Sequence, residues 1–157
     1  MKNDRPVLSR SPERSEGAGE GSKYKMSNIK IPIPNQAQNP NVKNKYDLEE
    51  RTALFGERVI EFVKTLPRNQ INKSLINQIM RSGTSMGANY MEADVAESKK
   101  DFKHKVGLCK KESKETKHWL RMIAKANPDK LSESRILWEE AQEFTLIFSS
   151  ILRLVKE

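Results

Sequence analysis

The sequence predicts an all-α protein: an antiparallel, up-down-up-down four-helix bundle over residues 46–157, preceded by a disordered or extended basic tail over residues 1–45. Three observations predict it. Apolar residues recur at spacings of four and three in four successive stretches, the seam of a helix packed against other helices. No stretch alternates with period two over strand length. The connections are short, with Pro67 and Pro128 stopping helices, and short connections make consecutive helices antiparallel.

The tail comes first. The chain has 157 residues and a net charge of +8. Residues 1–45 hold nine Lys/Arg and four Asp/Glu, so +5 belongs to the tail and +3 to the rest. The tail is rich in Ser, Glu, Arg, Gly, Asn and Pro. Pro32, Pro34 and Pro40 forbid a regular helix, and too few apolar residues are present to offset the entropy of ordering. Met26 opens the more protein-like SNIKIPIPNQ, so an upstream start assignment is one reading of the first 25 residues.

The first helix starts near Asp47, with Asp47 and Glu50 as N-cap and N3 acid. Leu48, Thr52, Phe55, Val59, Phe62 and Leu66 form its seam, and Pro67 ends it. Glu57 and Glu61, one turn apart, read as a solvated acidic pair. The second helix is expected over roughly 72–96, with Leu75, Ile79, Ser82, Met86, Asn89 and Ala93 on its seam. Gly83 and Gly87 stand one turn apart beside that seam. Each costs about 1 kcal/mol against Ala, so a neighbouring helix is expected to come close there. Ser82, Ser85 and Asn89 are placed to hydrogen-bond across that crossing.

The third helix spans Ser98 to Ala126, entered through Ser98 as cap and stopped before Pro128. Phe102, Val106, Cys109, Ser113, Thr116, Leu120 and Ile123 form its seam. The fourth is expected to begin at Ser132 as N-cap, with Leu137, Ala141, Phe144, Phe148, Ile151 and Val155 on the seam and Ile136, Ile147 and Leu152 widening the apolar face. It is the most apolar of the four, which suits cover by a second subunit as well as by its own bundle.

The third helix also carries charge. At about 100° per residue, Lys103, Lys110, Lys114, Lys117, Arg121 and Lys125 fall within roughly an 80° arc about a quarter turn from the seam. Asp101, Glu112 and Glu115 project elsewhere, leaving the stripe without carboxylates of its own at i,i+3 or i,i+4. Aligned, uncompensated cations point to a phosphate-bearing partner, against the plainer reading of a solvated face.

Little else carries chemistry. The single cysteine, Cys109, lies on the seam and reads as a buried structural thiol in a reducing compartment. No apolar run reaches membrane-span length and no signal-peptide core is visible, so a cytoplasmic location is expected. Glu115 with His118, and Asp101 with His104, resemble the Glu-x-x-His pairs of di-iron bundles, but both lie on one helix and point away from the seam. Nucleophile elbows, phosphate loops and zinc spacings are absent. Trp119 and Trp138 flank seam positions and read as packing or subunit contact. The chain is therefore expected to be no enzyme and to hold no metal or cofactor.

The run NQIMRSGTSMGANYMEADVAESKKDF, with the helices before and after it, resembles the four-helix-bundle proteins encoded within intervening sequences of bacterial 23S ribosomal RNA genes. The resemblance covers about residues 46–157. Its most specific part is Gln78, Arg81, Ser82, Ser85, Asn89 and Glu92, the same polar residues at the same helical spacings. The family usually has glycine after that glutamate, where this chain has Ala93. The resemblance implies a non-enzymatic cytoplasmic bundle that forms a ring-like homo-oligomer, often a pentamer, and touches nucleic acid through a basic surface. A related branch serves reverse transcriptases as an accessory. On this reading the six motif residues serve packing or subunit contact. The expected function is binding of structured RNA or DNA through the stripe, the alternatives being an adaptor for a protein such as a reverse transcriptase, or a structural oligomer without a specific ligand.

Overall fold

The computed structural model describes residues 47–155; the expected tail, residues 1–45, lies outside the described residues. Four helices follow one another: α1 (Leu48–Lys64), α2 (Gln70–Asp94), α3 (Lys99–Ala126) and α4 (Leu131–Leu154), with a 3-10 turn at Pro128–Lys130 leading into α4. Side chains cap the first three. Asp47 Oδ1 accepts from Glu50 N at 3.1 Å, Asn69 Oδ1 from Asn72 N at 2.8 Å, and Ser98 Oγ from Asp101 N at 3.1 Å.

The boundaries of α2 and α4 differ from expectation. The second helix begins and ends two residues earlier than 72–96, because Asn69 supplies the cap and Val95 leaves helical geometry. The fourth has no side-chain cap, so Ser132 lies inside α4 and not at its start. The turn at Pro128–Lys130 runs directly into α4, and the Leu131 N–H bonds to Pro128 O, which occupies a donor that a capping side chain would otherwise take.

Cross-helix pairs fix the directions. From α1 to α2, Thr52 meets Gly87 and Val59 meets Gly83. From α2 to α3, Ser82 meets Thr116 and Glu92 meets Lys105. From α3 to α4, Ser113 meets Thr145 and Lys117 meets Gln142. In each case one number rises as the other falls, so neighbouring helices run antiparallel. α1 closes the bundle against α4: Arg51 Nη2 lies 2.5 Å from Glu143, Arg58 pairs with Glu140, and Phe55 meets Phe144 edge-on at 5.5 Å.

The glycines on α2 serve the close crossing with α1. A Cβ at Gly83 would stand 3.1 Å from both Val59 methyls, and one at Gly87 would stand 3.5 Å from Thr52 O. Gly56 faces them from α1, where a Cβ would stand 3.8 Å from Gly83 O.

The seams of α1 and α3 are buried residue for residue. On α2, Tyr90 is buried where Asn89 was expected, and Leu75 is half-buried. Tyr90 packs on Phe148 at 6.2 Å, and burial raises its hydroxyl pKa well above the ordinary value. On α4, Ile136 is 57% exposed and does not widen the core face, because α1 approaches α4 mainly through charged side chains beside Phe144.

One buried contact had no signal in the apolar pattern. Asn72 and Asn127, 1% and 4% exposed, donate to each other's side-chain oxygen at 2.9 Å in both directions. Their second N–H groups reach Pro67 O at 2.8 Å and Ile123 O at 3.0 Å. The pair ties the α1–α2 connection to the end of α3 with every amide hydrogen bonded.

Candidate nucleic-acid interface

α3 packs between α2 and α4, and that position sorts its charges into three rows. The α2-side row is neutralised. Arg81 from α2 pairs with Glu115 and lies 3.4 Å from Glu112, while Lys105 pairs with Glu92. The Glu92 hydrogen bond holds the Lys105 ammonium above its ordinary pKa. Glu112 projects away from the stripe, as the helical projection has it, and is only 7% exposed there. α2 covers that side, and Arg81 compensates it.

The α4-side row holds Lys103, Lys110 and Lys117, all half-buried. Lys117 bonds Gln142 and sits over the Trp138 ring, its Nζ 4.7 Å from the centroid. Between this row and α4 lies a polar strip in which Ser113 and Thr145 share a 2.9 Å hydrogen bond.

The outer row faces solvent. Lys100, His104, Lys111, Lys114, His118, Arg121 and Lys125 are exposed at alternating helical spacings, with half-buried Gly107 completing the ridge. It runs about 37 Å from Lys100 to Lys125 at about 1.5 Å per residue. Lys114, Arg121 and Lys125 of the predicted stripe lie here, while Lys103, Lys110 and Lys117 lie one row over, against α4. Lys100 and Lys111 were missed. The projection could have found them, since they sit nearly half a turn from the seam. Among the described residues no carboxylate pairs with Lys100, Lys111, Lys114, Arg121 or Lys125. α3 as a whole has ten Lys/Arg against three Asp/Glu, whereas the other three helices have seven against ten.

Three of the six motif residues of α2, Arg81, Ser82 and Glu92, form a clasp on α3. Arg81 and Glu92 take the ion pairs just described, and Ser82 Oγ lies 3.0 Å from the Thr116 hydroxyl. Ser82, Ser85 and Asn89 do not bond across the glycine crossing as expected. Asn89 donates within its own helix, to Ser85 O at 2.8 Å. Gln78 is half-buried beside the clasp.

This clasp, on residues 81–92, lies inside the region where the sequence pattern of the 23S rRNA-intervening sequence proteins matches, residues 44–150. The chain belongs to the 23S rRNA-intervening sequence protein family. A solved structure from Bacteroides thetaiotaomicron, described as a protein of unknown function from the S23 ribosomal protein family, is 27% identical with a TM-score of 0.60, over 68% of this chain and 98% of that one. No curated protein matches the chain.

In this 23S rRNA-intervening sequence protein the remaining candidate groups are occupied structurally. Cys109 is fully buried with its Sγ 3.5 Å from Met86 O, and burial pushes the thiol up to about 12. Glu115, half of the Glu-x-x-His pair with His118, accepts from Arg81 and from Trp119 Nε1. Among the described residues, no group of three or more His, Cys, Asp and Glu could hold a metal ion. Among them, too, no helix is long and apolar enough to cross a membrane.

Proposed function

We propose that this protein is a cytoplasmic, non-enzymatic bundle that self-associates and binds structured RNA or DNA through phosphate contacts along the outer face of α3. The observation that carries the reading is the segregation of charge: unpaired cations line the solvent side of α3, while two of its three carboxylates, Glu112 and Glu115, are bound by Arg81 on the α2 side. A row of this kind supplies sequence-independent attraction to a phosphate backbone, with affinity that falls steeply with salt. Exposed Leu54 on α1 and Ile136 and Leu146 on α4, set among the carboxylates of those two helices, support contact with a second copy. Repetition around such an oligomer multiplies one modest ridge into a larger basic surface. The pentameric ring implied by the family resemblance is the arrangement we favour.

The test is charge reversal on the exposed row alone. Lys111→Glu, Lys114→Glu and Arg121→Glu together leave the Lys117 contacts with Gln142 and Trp138 in place. The triple variant is expected to keep its helical circular dichroism and lose binding to a labelled RNA hairpin and a DNA duplex in anisotropy titrations. Unchanged affinity removes α3 from the interface. Light scattering tests self-association, and a monomer at working concentration refutes that part.

A further inference from the structure

Trp138 differs from the other aromatic side chains. Among the described residues it is the one aromatic in the set of exposed large apolar side chains, 37% open. Trp119 is half-buried and bonded through Nε1 to Glu115 at 3.2 Å, and the phenylalanines of the helices are in the core. Trp138 lies on the α3 side of α4, directly against the basic surface. Lys117 stands 4.7 Å above its ring and bonds Gln142, one turn along α4. An ammonium held at one face fixes the orientation of an indole without burying it. The arrangement leaves an oriented aromatic surface beside a row of half-buried lysines.

We infer that Trp138 is a base-stacking residue, and that the nucleic acid bound at α3 presents at least one unpaired base there while Lys117 and Lys110 hold the adjoining phosphates. The inference rests on the phosphate-binding reading above and specifies its ligand. Proteins that bind single strands combine a cationic track with an aromatic platform, because every base has a π-face and every nucleotide a phosphate. A base inside a duplex is stacked on both sides and cannot use the platform. The ligand class is therefore single-stranded nucleic acid, or a structured one with an unpaired loop or bulge, and base identity matters little.

The experiment uses the full chain and two fluorescein-labelled probes, a 20-nucleotide oligothymidylate and a blunt 20-base-pair DNA duplex. Wild type is expected to bind oligothymidylate more tightly than duplex, with quenching of tryptophan fluorescence on binding. Trp138→Leu is expected to lose between about fivefold and about 150-fold of the oligothymidylate affinity, the equivalent of about 1–3 kcal/mol for one stacked base. Its duplex affinity should stay unchanged. Trp138→Phe should retain part of the single-strand affinity while the quenching disappears. Salt-dependent binding with equal affinities for oligothymidylate in wild type and Trp138→Leu overturns the stacking role and leaves the phosphate reading standing. A parallel loss on both probes also overturns it, since Trp138 then acts only by holding Lys117 or a subunit contact. Absence of salt-dependent binding to either probe overturns both readings together.

Discussion

Replacing Asn127 by leucine perturbs the buried amide pair while nearly conserving volume, so water gains no cavity. Asn72 is then left with its Oδ1 and one Nδ2–H unsatisfied at a site 1% exposed, while its other N–H keeps Pro67 O. Each orphaned buried group costs about 1–3 kcal/mol, so the single substitution should destabilise by about 2–6 kcal/mol. That is a large part of the 5–15 kcal/mol typical of a domain. At about 4 °C per kcal/mol, Tm should fall by about 8–24 °C. Asn72→Leu leaves the complementary two groups on Asn127 and also takes the donor from Pro67 O, so it should cost at least as much. The double variant removes both amides and leaves chiefly Pro67 O without its side-chain donor, at about 1–3 kcal/mol. It should therefore be more stable than either single variant. The assay is thermal and urea unfolding followed by circular dichroism at fixed protein concentration, since any oligomer makes Tm concentration-dependent. A double variant at or beyond the sum of the singles refutes the reasoning, because two residues sharing one network cannot add independently.

Two further predictions follow from local geometry. Gly83→Ala should destabilise by about 1–2 kcal/mol, since its new methyl meets both Val59 methyls at 3.1 Å and overpacking outweighs the gain in helix propensity; Gly107→Ala, with nothing within 4 Å, should stabilise by about 0.5–1 kcal/mol. The same unfolding curves separate the two, and equal effects would refute the close crossing. Cys109, with its thiol pushed from 9.0 to about 12 by burial, should be inert to a thiol-titrating disulfide at pH 8 until the chain is unfolded. Because the folded state holds that proton more tightly, the stability it contributes is fully present below pH 9 and declines as pH rises from there to about 12. Tyr90, raised by burial, adds loss in the same direction. Stability that is flat across that window in urea titrations would contradict the burial of both groups.

The seams were legible because helical periodicity is local: Phe55, Val59 and Phe62, or Phe102, Val106 and Cys109, declare their face by spacing alone, and each is buried in the bundle. Caps at Asp47 and Ser98 were legible for the same reason. Asn72 and Asn127 were not, since 55 residues separate them and an asparagine near a helix end reads first as a cap. The basic surface was half legible. Helical projection grouped six cations, but whether a lysine faces water or lies against a neighbour depends on where that neighbour sits.

The sequence by itself determined four helices, their seams, the glycines that bring α1 and α2 together and the excess of positive charge on α3. Only the tertiary structure decided which charges count. α2 brings Arg81 to Glu112 and Glu115, and Glu92 to Lys105; α4 brings Trp138 and Gln142 to Lys117. What remains on the outer row is unpaired because Glu115, one turn from Lys111, is taken by Arg81 of α2, the other outer cations have no α3 carboxylate three or four residues away, and no second helix packs on that side among the described residues.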